Sequence, residues 1–227
     1  MNLFFNLIAA QPDGKNSKTL FSYWMESNGS GGWIINSLLL IMLGYTIFVF
    51  VERYLALRTA TTEETGLLKN VKTYLQNGNI DGAKQLCLTS ESPIAKMLLK
   101  GISRIGNAKN ESIAATIENT GKFEILRLEQ RLNFLATASG AGPMLGFLGT
   151  VLGMVGVFIA LSGTQSLELS VIAPGMMTAM ITTVEGLIVG IIAFMGYNYL
   201  VGKIGKVVYQ MENAAIEFMD ILNESSK

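Results

Sequence analysis

The chain has 227 residues, half of them hydrophobic and only 15% charged, a composition that is too apolar for a soluble domain and predicts membrane spans. Seventeen basic and seventeen acidic residues balance, which leaves no net charge to attract nucleic acid. One cysteine, Cys87, and no histidine exclude an internal disulfide and the commonest zinc ligand, so any proton chemistry must use carboxylates.

The first predicted span is the uncharged run from Trp33 to Val51. A helix of that length matches a hydrocarbon core of about 30 Å, and we place the span at residues 33–53. The preceding segment, residues 1–32, starts with an apolar stretch that is short and lacks the basic start of a signal peptide. We expect it to stay in the mature protein as a periplasmic segment, with its apolar part lying at the membrane surface.

A polar segment follows at residues 54–131. With Arg53 it carries twelve of the seventeen basic residues, interleaved with acids at helical spacing. Breaks at 77–79, 92–93 and 106–107 divide it into short amphipathic helices, and a last helix from Glu111 is expected to run into the second span. The segment is either an ordinary solvated helical domain or a docking surface.

Two further spans complete the topology. No residue is charged from 132 to 167, and Glu185 is the only charge from 171 to 202. We place the second span at 132–162, a periplasmic turn at 163–170, the third span at 171–202 and a C-terminal helix at 203–227. Basic residues lie mainly at one side of the spans, with Lys15 and Lys18 as weak exceptions, which puts 54–131 and 203–227 in the cytoplasm. The predicted fold is an all-α membrane bundle with three transmembrane helices and a cytoplasmic helical domain.

The second span carries a ladder of small residues whose spacing alternates between four and three. Its members are Gly142, Gly146, Gly149, Gly153, Gly156, Ala160 and Gly163. Small residues allow close backbone approach, a main way for helices to pack in lipid, so this face is expected to meet another helix. Thr150 stands at its rim, where its hydroxyl either reaches the neighbouring helix or bonds to its own backbone.

The third span shows two stripes. The polar stripe consists of Thr178, Thr182 and Glu185, which lie within roughly 60° on the helix. The small-residue stripe, about 100° away, is the expected partner of the glycine ladder. Its members are Ala179, Thr183, Gly186, Gly190 and Ala193.

Glu185 is the residue that packing alone does not explain. A carboxylate at mid-bilayer costs roughly 2.5 to 3.5 kcal/mol, so it should face protein or water. Removal from water favours the neutral acid, so this side chain can bind and release a proton. The alternative is a structural glutamate that is hydrogen-bonded within the bundle.

With these residues in view, the chain resembles the MotA/TolQ/ExbB proton-channel family, closest to its three-span ExbB/TolQ branch. Residues 136–156, ATASGAGPMLGFLGTVLGMVG, are similar to the family's second span, whose threonine falls on Thr150. Residues 173–198, APGMMTAMITTVEGLIVGIIAFMGYN, are similar to its third span, whose threonine falls on Thr183. The family's usual acid falls on Thr178, so either Glu185 substitutes from about 10 Å deeper or the path is mainly threonine and can suit sodium as well as protons.

The resemblance implies a channel-forming subunit of a motor in the bacterial inner membrane, driven by protons or sodium. It implies a ring-shaped homo-oligomer, a pentamer, around an ExbD/TolR-like single-span subunit that supplies an aspartate. A TonB/TolA-like protein that spans the periplasm would receive the energy, for outer-membrane transport, envelope maintenance or gliding. The implied ion pathway uses Thr150, Thr183, Glu185, Thr178 and Thr182, with membrane lipid around the ring and with no cofactor or enzyme activity.

Three other kinds of membrane protein predict different sequence features. A flagellar stator subunit typically has four spans and a larger cytoplasmic domain. A secondary transporter would show an internal repeat and interrupted helices, neither of which the sequence contains. A passive scaffold would explain the small-residue stripes but not Glu185.

Overall fold

The structure is a computed structural model that describes residues 33–62, 64–162 and 169–225. The expectations for residues 1–32 and for most of the turn at 163–170 lie outside these ranges. Every regular element within them is an α-helix: α1 Trp33–Thr62, α2 Glu64–Gln76, α3 Ile80–Thr89, α4 Pro93–Ile102, α5 Asn110–Glu129, α6 Leu132–Ser162 and α7 Leu169–Ser225.

Three stretches of the described chain are long and apolar enough to cross a membrane. They lie within Trp33–Arg58, Asn110–Ser162 and Ile172–Asn223. The prediction of an all-α protein is confirmed for the described residues, which contain three candidate membrane-spanning helices.

The chain divides into two compact units. The first, here called the membrane unit, comprises the described residues of Met1–Ile47 and Phe134–Met195. The second, called the polar unit, comprises those of Phe48–Asn133 and Gly196–Lys227.

In the membrane unit, α1 packs against the start of α6. The rings of Tyr45 and Phe134 meet edge to face with centroids 4.4 Å apart. Large apolar side chains such as Phe147, Phe158 and Phe194 point outward and are exposed in the single chain. An apolar exterior suits contact with lipid or with another membrane helix.

In the polar unit, side-chain caps and glycines separate the short helices at the breaks that the sequence indicates. The Asn79 side chain accepts a hydrogen bond from Gly82 N at 2.9 Å at the start of α3. Ser92 Oγ accepts one from Ala95 N at 3.1 Å, and a proline opens α4. Gly78 and Gly106 have φ angles of 72° and 86°, a region that L side chains rarely adopt.

The core of the polar unit forms where these short helices pack against the C-terminal half of α7. Val207, Met211, Ala214 and Phe218 recur every three or four residues on α7 and are buried with residues of α2 to α5. Outside the core, Lys72 Nζ lies 3.0 Å from a carboxylate oxygen of Glu217.

The boundary between α5 and α6 differs from the prediction made from the sequence. The helix expected to run from Glu111 into the second span is interrupted at residues 130–131, between α5 and α6. Arg131 has a φ of 66°, which is uncommon for a residue with a side chain. Its guanidinium contacts the Glu52 carboxylate, and Arg53 Nη1 donates to the carbonyl oxygen of Arg127 at 3.3 Å.

Candidate functional site

The site begins with a close approach of α6 and α7 through glycines. A Cβ added to Gly142 would lie 2.9 Å from the Gly186 carbonyl oxygen, and one added to Gly146 would lie 2.8 Å from the Thr182 carbonyl oxygen. Cβ atoms essentially never come so near to backbone, so these positions require glycine. As the residue numbers of the glycines on α6 increase, the residue numbers of their contacts on α7 decrease. The two helices therefore run antiparallel.

The glycine contact covers only part of the predicted ladder. Gly149 faces the Thr182 side chain, and a Cβ on Gly153 would lie 3.0 Å from Ala179 Cβ. Gly190 packs against the Pro143 ring. Gly156 and Ala160, in contrast, are exposed, and a Cβ on Gly156 would meet nothing within 4 Å. Gly163 lies outside the described residues.

Two threonine hydroxyls meet at this contact. Thr150 Oγ1 on α6 and Thr183 Oγ1 on α7 are in hydrogen-bond contact. Each is also 3.2 Å from the carbonyl oxygen of Ala179, and they lie 3.3 and 3.4 Å from that of Gly146. We call these two hydroxyls and two carbonyl oxygens the threonine cluster. The sequence left open whether Thr150 reaches the next helix or its own backbone; in the structure it is within reach of both.

The predicted polar stripe does not form a separate face of α7. Thr182 is fully buried, donates to the Ala179 carbonyl oxygen at 2.9 Å and packs on Gly149 within the helix contact. Thr178 is also buried and donates to the Pro174 carbonyl oxygen at 3.0 Å. Their hydroxyls therefore bond to the backbone of α7 itself, as threonines in membrane helices commonly do.

Glu185 lies half-buried on α7, and its Oε2 atom has almost no contact with solvent in the single chain. Glu185 follows Thr183 by two residues, which is a rotation of about 200° around the helix axis. The two side chains therefore project from α7 in different directions. The carboxyl group thus sits beside the helix contact and is not an extension of the threonine cluster.

Two buried polar residues of α1 were missed by the sequence analysis. Asn36 and Thr46 have relative exposures of 1% and 0%, and Thr46 Oγ1 donates to the Met42 carbonyl oxygen at 2.7 Å. The available signal was their polarity inside an otherwise apolar span, since polar residues there usually face the bundle interior.

The chemistry of the cluster is that of uncharged oxygens. Hydroxyl and carbonyl oxygens accept hydrogen bonds and coordinate small hard cations, and hydroxyls also donate hydrogen bonds. Within the described residues no group of three or more His, Cys, Asp or Glu is placed to hold a metal ion.

Comparison with known proteins places this arrangement in a family. The model of the MotA/TolQ/ExbB proton channel family matches residues 89–213, which include the glycine contact and the threonine cluster. The chain belongs to this family. The resemblance noted in the sequence is therefore confirmed.

Several curated relatives support the assignment. The Tol-Pal system protein TolQ of Haemophilus influenzae is 34% identical over 146 residues, which cover 61% of this chain and 64% of that protein. The biopolymer transport protein ExbB of Salmonella typhimurium is 32% identical over 125 residues, which cover 50% of this chain and 48% of that protein. A protein of Methanothermobacter thermautotrophicus named as a putative biopolymer transport protein ExbB homolog is 26% identical over 193 residues, which cover 85% of this chain and 68% of that protein. The chain spans about half to two thirds of the length of these relatives, whose names describe a Tol-Pal system protein and biopolymer transport proteins.

Proposed function

We propose that the chain is the channel-forming subunit of an ion-driven motor in the bacterial inner membrane. The observation that carries this proposal is the contact of Thr150 and Thr183 across α6 and α7. The contact joins the two residues that correspond to the family's threonines, and it lies within the matched range. Polar side chains inside membrane-spanning helices are costly to bury and commonly mark ion pathways.

The orientation and assembly belong to the same proposal. Arg53 and Arg58 after the first span, and Lys203 and Lys206 after the third, favour a periplasmic N-terminus and a cytoplasmic C-terminus. The spans at 33–53, 132–162 and 171–202 would form a pentameric ring around an ExbD/TolR-like helix that supplies an aspartate. One charge crossing 100 mV releases about 2.3 kcal/mol, so repeated ion passage is needed to drive a TonB/TolA-like protein.

Sodium is the second candidate ion. Thr178 stands where the family usually has an acid, and the cluster itself contains no charge. Uncharged hydroxyl and carbonyl oxygens are ligands of the kind that small hard cations bind. A non-conducting scaffold would need the glycine contact but not the hydroxyls.

The test removes the hydroxyls one at a time. Thr150→Ala and Thr183→Ala should each abolish ion flux in proteoliposomes that contain the chain and its single-span partner, and should abolish transducing activity in cells. Thr150→Ser and Thr183→Ser, which keep the hydroxyl, should retain most of both. Thr73→Ala is the matched control, because Thr73 Oγ1 donates only to a backbone carbonyl of its own exposed helix.

Full flux and activity in both alanine variants would overturn the channel assignment and favour the scaffold. Equal loss in the alanine and serine variants would show that shape, and not the hydroxyl, is required.

A further inference from the structure

Two grooves flank α5 in the polar unit, and they differ in character. The first, the methionine groove, has a volume of about 590 Å³ and lies between α5 and α7. The second, the basic groove, has a volume of about 560 Å³ and lies between α5 and the end of α4. Both are open depressions within a single compact unit.

The methionine groove is apolar with an acidic rim. Met97 and Met211 line its floor beside Gly121, where an added Cβ would lie 3.2 Å from Met97 Sδ. Flexible methionine side chains adapt to an inserted apolar group. Ile216 on the α7 wall is 62% exposed.

Acids dominate the rim of the methionine groove. Glu118 is already paired with Lys122 at 2.6 Å. Glu212 and Asp220 are exposed on either side of Ile216, and neither has an ion pair within the described part of the chain. The α7 wall of this groove therefore offers two negative charges flanking an apolar side chain.

The basic groove has the opposite charge. Lys100 and Arg104 line it, and no carboxylate does. Arg104 lies 3.5 Å from the Ser112 hydroxyl, and over the described residues neither cation is ion-paired. Phe123 stands in the same groove and is 67% exposed, an unusual state for a phenylalanine in a domain expected to face water.

The two grooves lie on opposite faces of α5 at the same level. Residues 114–125 of α5 line the methionine groove and residues 112–123 line the basic groove. At 100° per residue, the centres of the two sets are about 160° apart around the helix. A neighbouring copy could present its basic groove to the methionine groove without shifting along the helix axis.

We propose that the polar unit binds a second copy of this chain head to tail, with Phe123, Lys100 and Arg104 of one copy against Ile216, Glu212 and Asp220 of the next. Opposite charges fix the partner and its orientation, and the aromatic ring supplies the apolar anchor. Such a contact uses two different surfaces, so an open chain of copies has one unoccupied surface at each end until a ring closes. The absence of an axial shift favours a closed ring over an open filament. This inference rests on the proposed oligomeric motor and identifies the surfaces that would assemble it.

The test is crosslinking of the full-length chain in membranes, in a Cys87→Ala background. Asn119→Cys in the basic groove combined with Ala215→Cys in the methionine groove leaves the contact residues in place. With a short bismaleimide this chain should give a ladder of products containing two, three and more chains. Either substitution alone should give no crosslinked dimer, because a head-to-tail contact does not bring two copies of the same position together.

Charge reversal tests the complementarity. Lys100→Glu with Arg104→Glu should abolish the ladder, and adding Glu212→Lys with Asp220→Lys should restore it. Restoration would not occur if the first pair of changes merely unfolded the unit. Lys69→Glu, at an exposed site on α2, is the matched control and should leave the ladder unchanged.

The outcomes separate this inference from the proposed function. If no ladder forms while the mass of the purified complex shows an oligomer, the proposed contact surfaces are wrong and the proposed motor function is unaffected. Products that stop at two chains would indicate a symmetric pair and overturn the head-to-tail contact. A monomeric chain would overturn the contact and the proposed ring together.

Discussion

Two hydroxyl groups carry most of the polar chemistry at the contact of α6 and α7. Thr150 and Thr183 are close because the glycines on both helices remove the side chains that would hold the backbones apart. With alanine at Gly146, the Thr182 carbonyl oxygen would have to move. The threonine contact therefore depends on residues that have no polar side chain of their own.

The burial of Cys87 leads to a prediction about a single side chain. Burial raises the pKa of its thiol from 9.0 to about 11, which keeps the thiol protonated and unreactive near neutral pH. In native membranes at pH 8 we expect maleimide to label Cys87 far more slowly than in denatured chain. The neutral thiol contributes its stability fully below pH 9.0, and that contribution is lost as the pH rises through about 11.

Rapid labelling of the native chain would contradict this burial. A cysteine placed at the neighbouring exposed Leu88 in a Cys87→Ala chain is the control and should react at once.

Several site residues could be predicted from the sequence, but their contacts could not. The spacing placed Thr150 at the rim of the glycine ladder, and the resemblance marked Thr183. That their oxygens touch depends on the antiparallel register of α6 against α7, which periodicity within one helix does not determine. For the same reason Thr182 was assigned to a separate stripe, although it packs on Gly149.

At the scale of elements, the glycine ladder gives a matched pair of variants. In Gly186→Ala the new methyl group would lie 2.5 Å from the Gly142 carbonyl oxygen, so α6 and α7 must separate. Overpacking of this kind costs about 1 to 3 kcal/mol. Gly156→Ala meets nothing within 4 Å and should gain about 0.8 to 1 kcal/mol from helix propensity. Unfolding of the purified chain in mixed micelles, followed by circular dichroism, measures both free energies.

Equal effects of the two substitutions would contradict the glycine contact. Destabilisation by Gly156→Ala alone would place the close helix contact at the other end of α6.

The boundary between α5 and α6 could not be predicted from the sequence pattern. No glycine or proline marks residues 130–131, so the sequence favoured one continuous helix. The break instead uses Arg131 in a left-handed conformation, with its guanidinium on Glu52, a residue 79 positions away in the chain. Local propensity could not reveal a turn that is stabilised by so distant a partner. The other breaks were predictable because a cap or a glycine marks each one.

For the whole molecule, the number of spans and the family could be predicted, because long apolar runs and two specific motifs signal them strongly. The choice of ion is tested by Glu185→Gln, which removes the titratable proton and keeps the shape. If Glu185 carries protons, this variant should lose proton flux in sodium-free liposomes by more than about tenfold, or ~1.4 kcal/mol in barrier height. Glu185→Asp should retain part of the flux.

A sodium-driven motor would give a different pattern. The unsubstituted chain would then conduct only when sodium is added, and Glu185→Gln would leave that flux intact. Unchanged proton flux in Glu185→Gln would show that Glu185 is a structural residue.

The threonine cluster has one consequence that follows from counting its hydrogens. Each hydroxyl has a single hydrogen, yet each oxygen lies near the other hydroxyl and near two carbonyls. When Thr150 donates to Thr183, Thr183 donates to a carbonyl, and the opposite order uses the same atoms in the same places. The pair can therefore reverse its dipole when the two O–H groups rotate about their Cβ–Oγ1 bonds, without displacement of either helix.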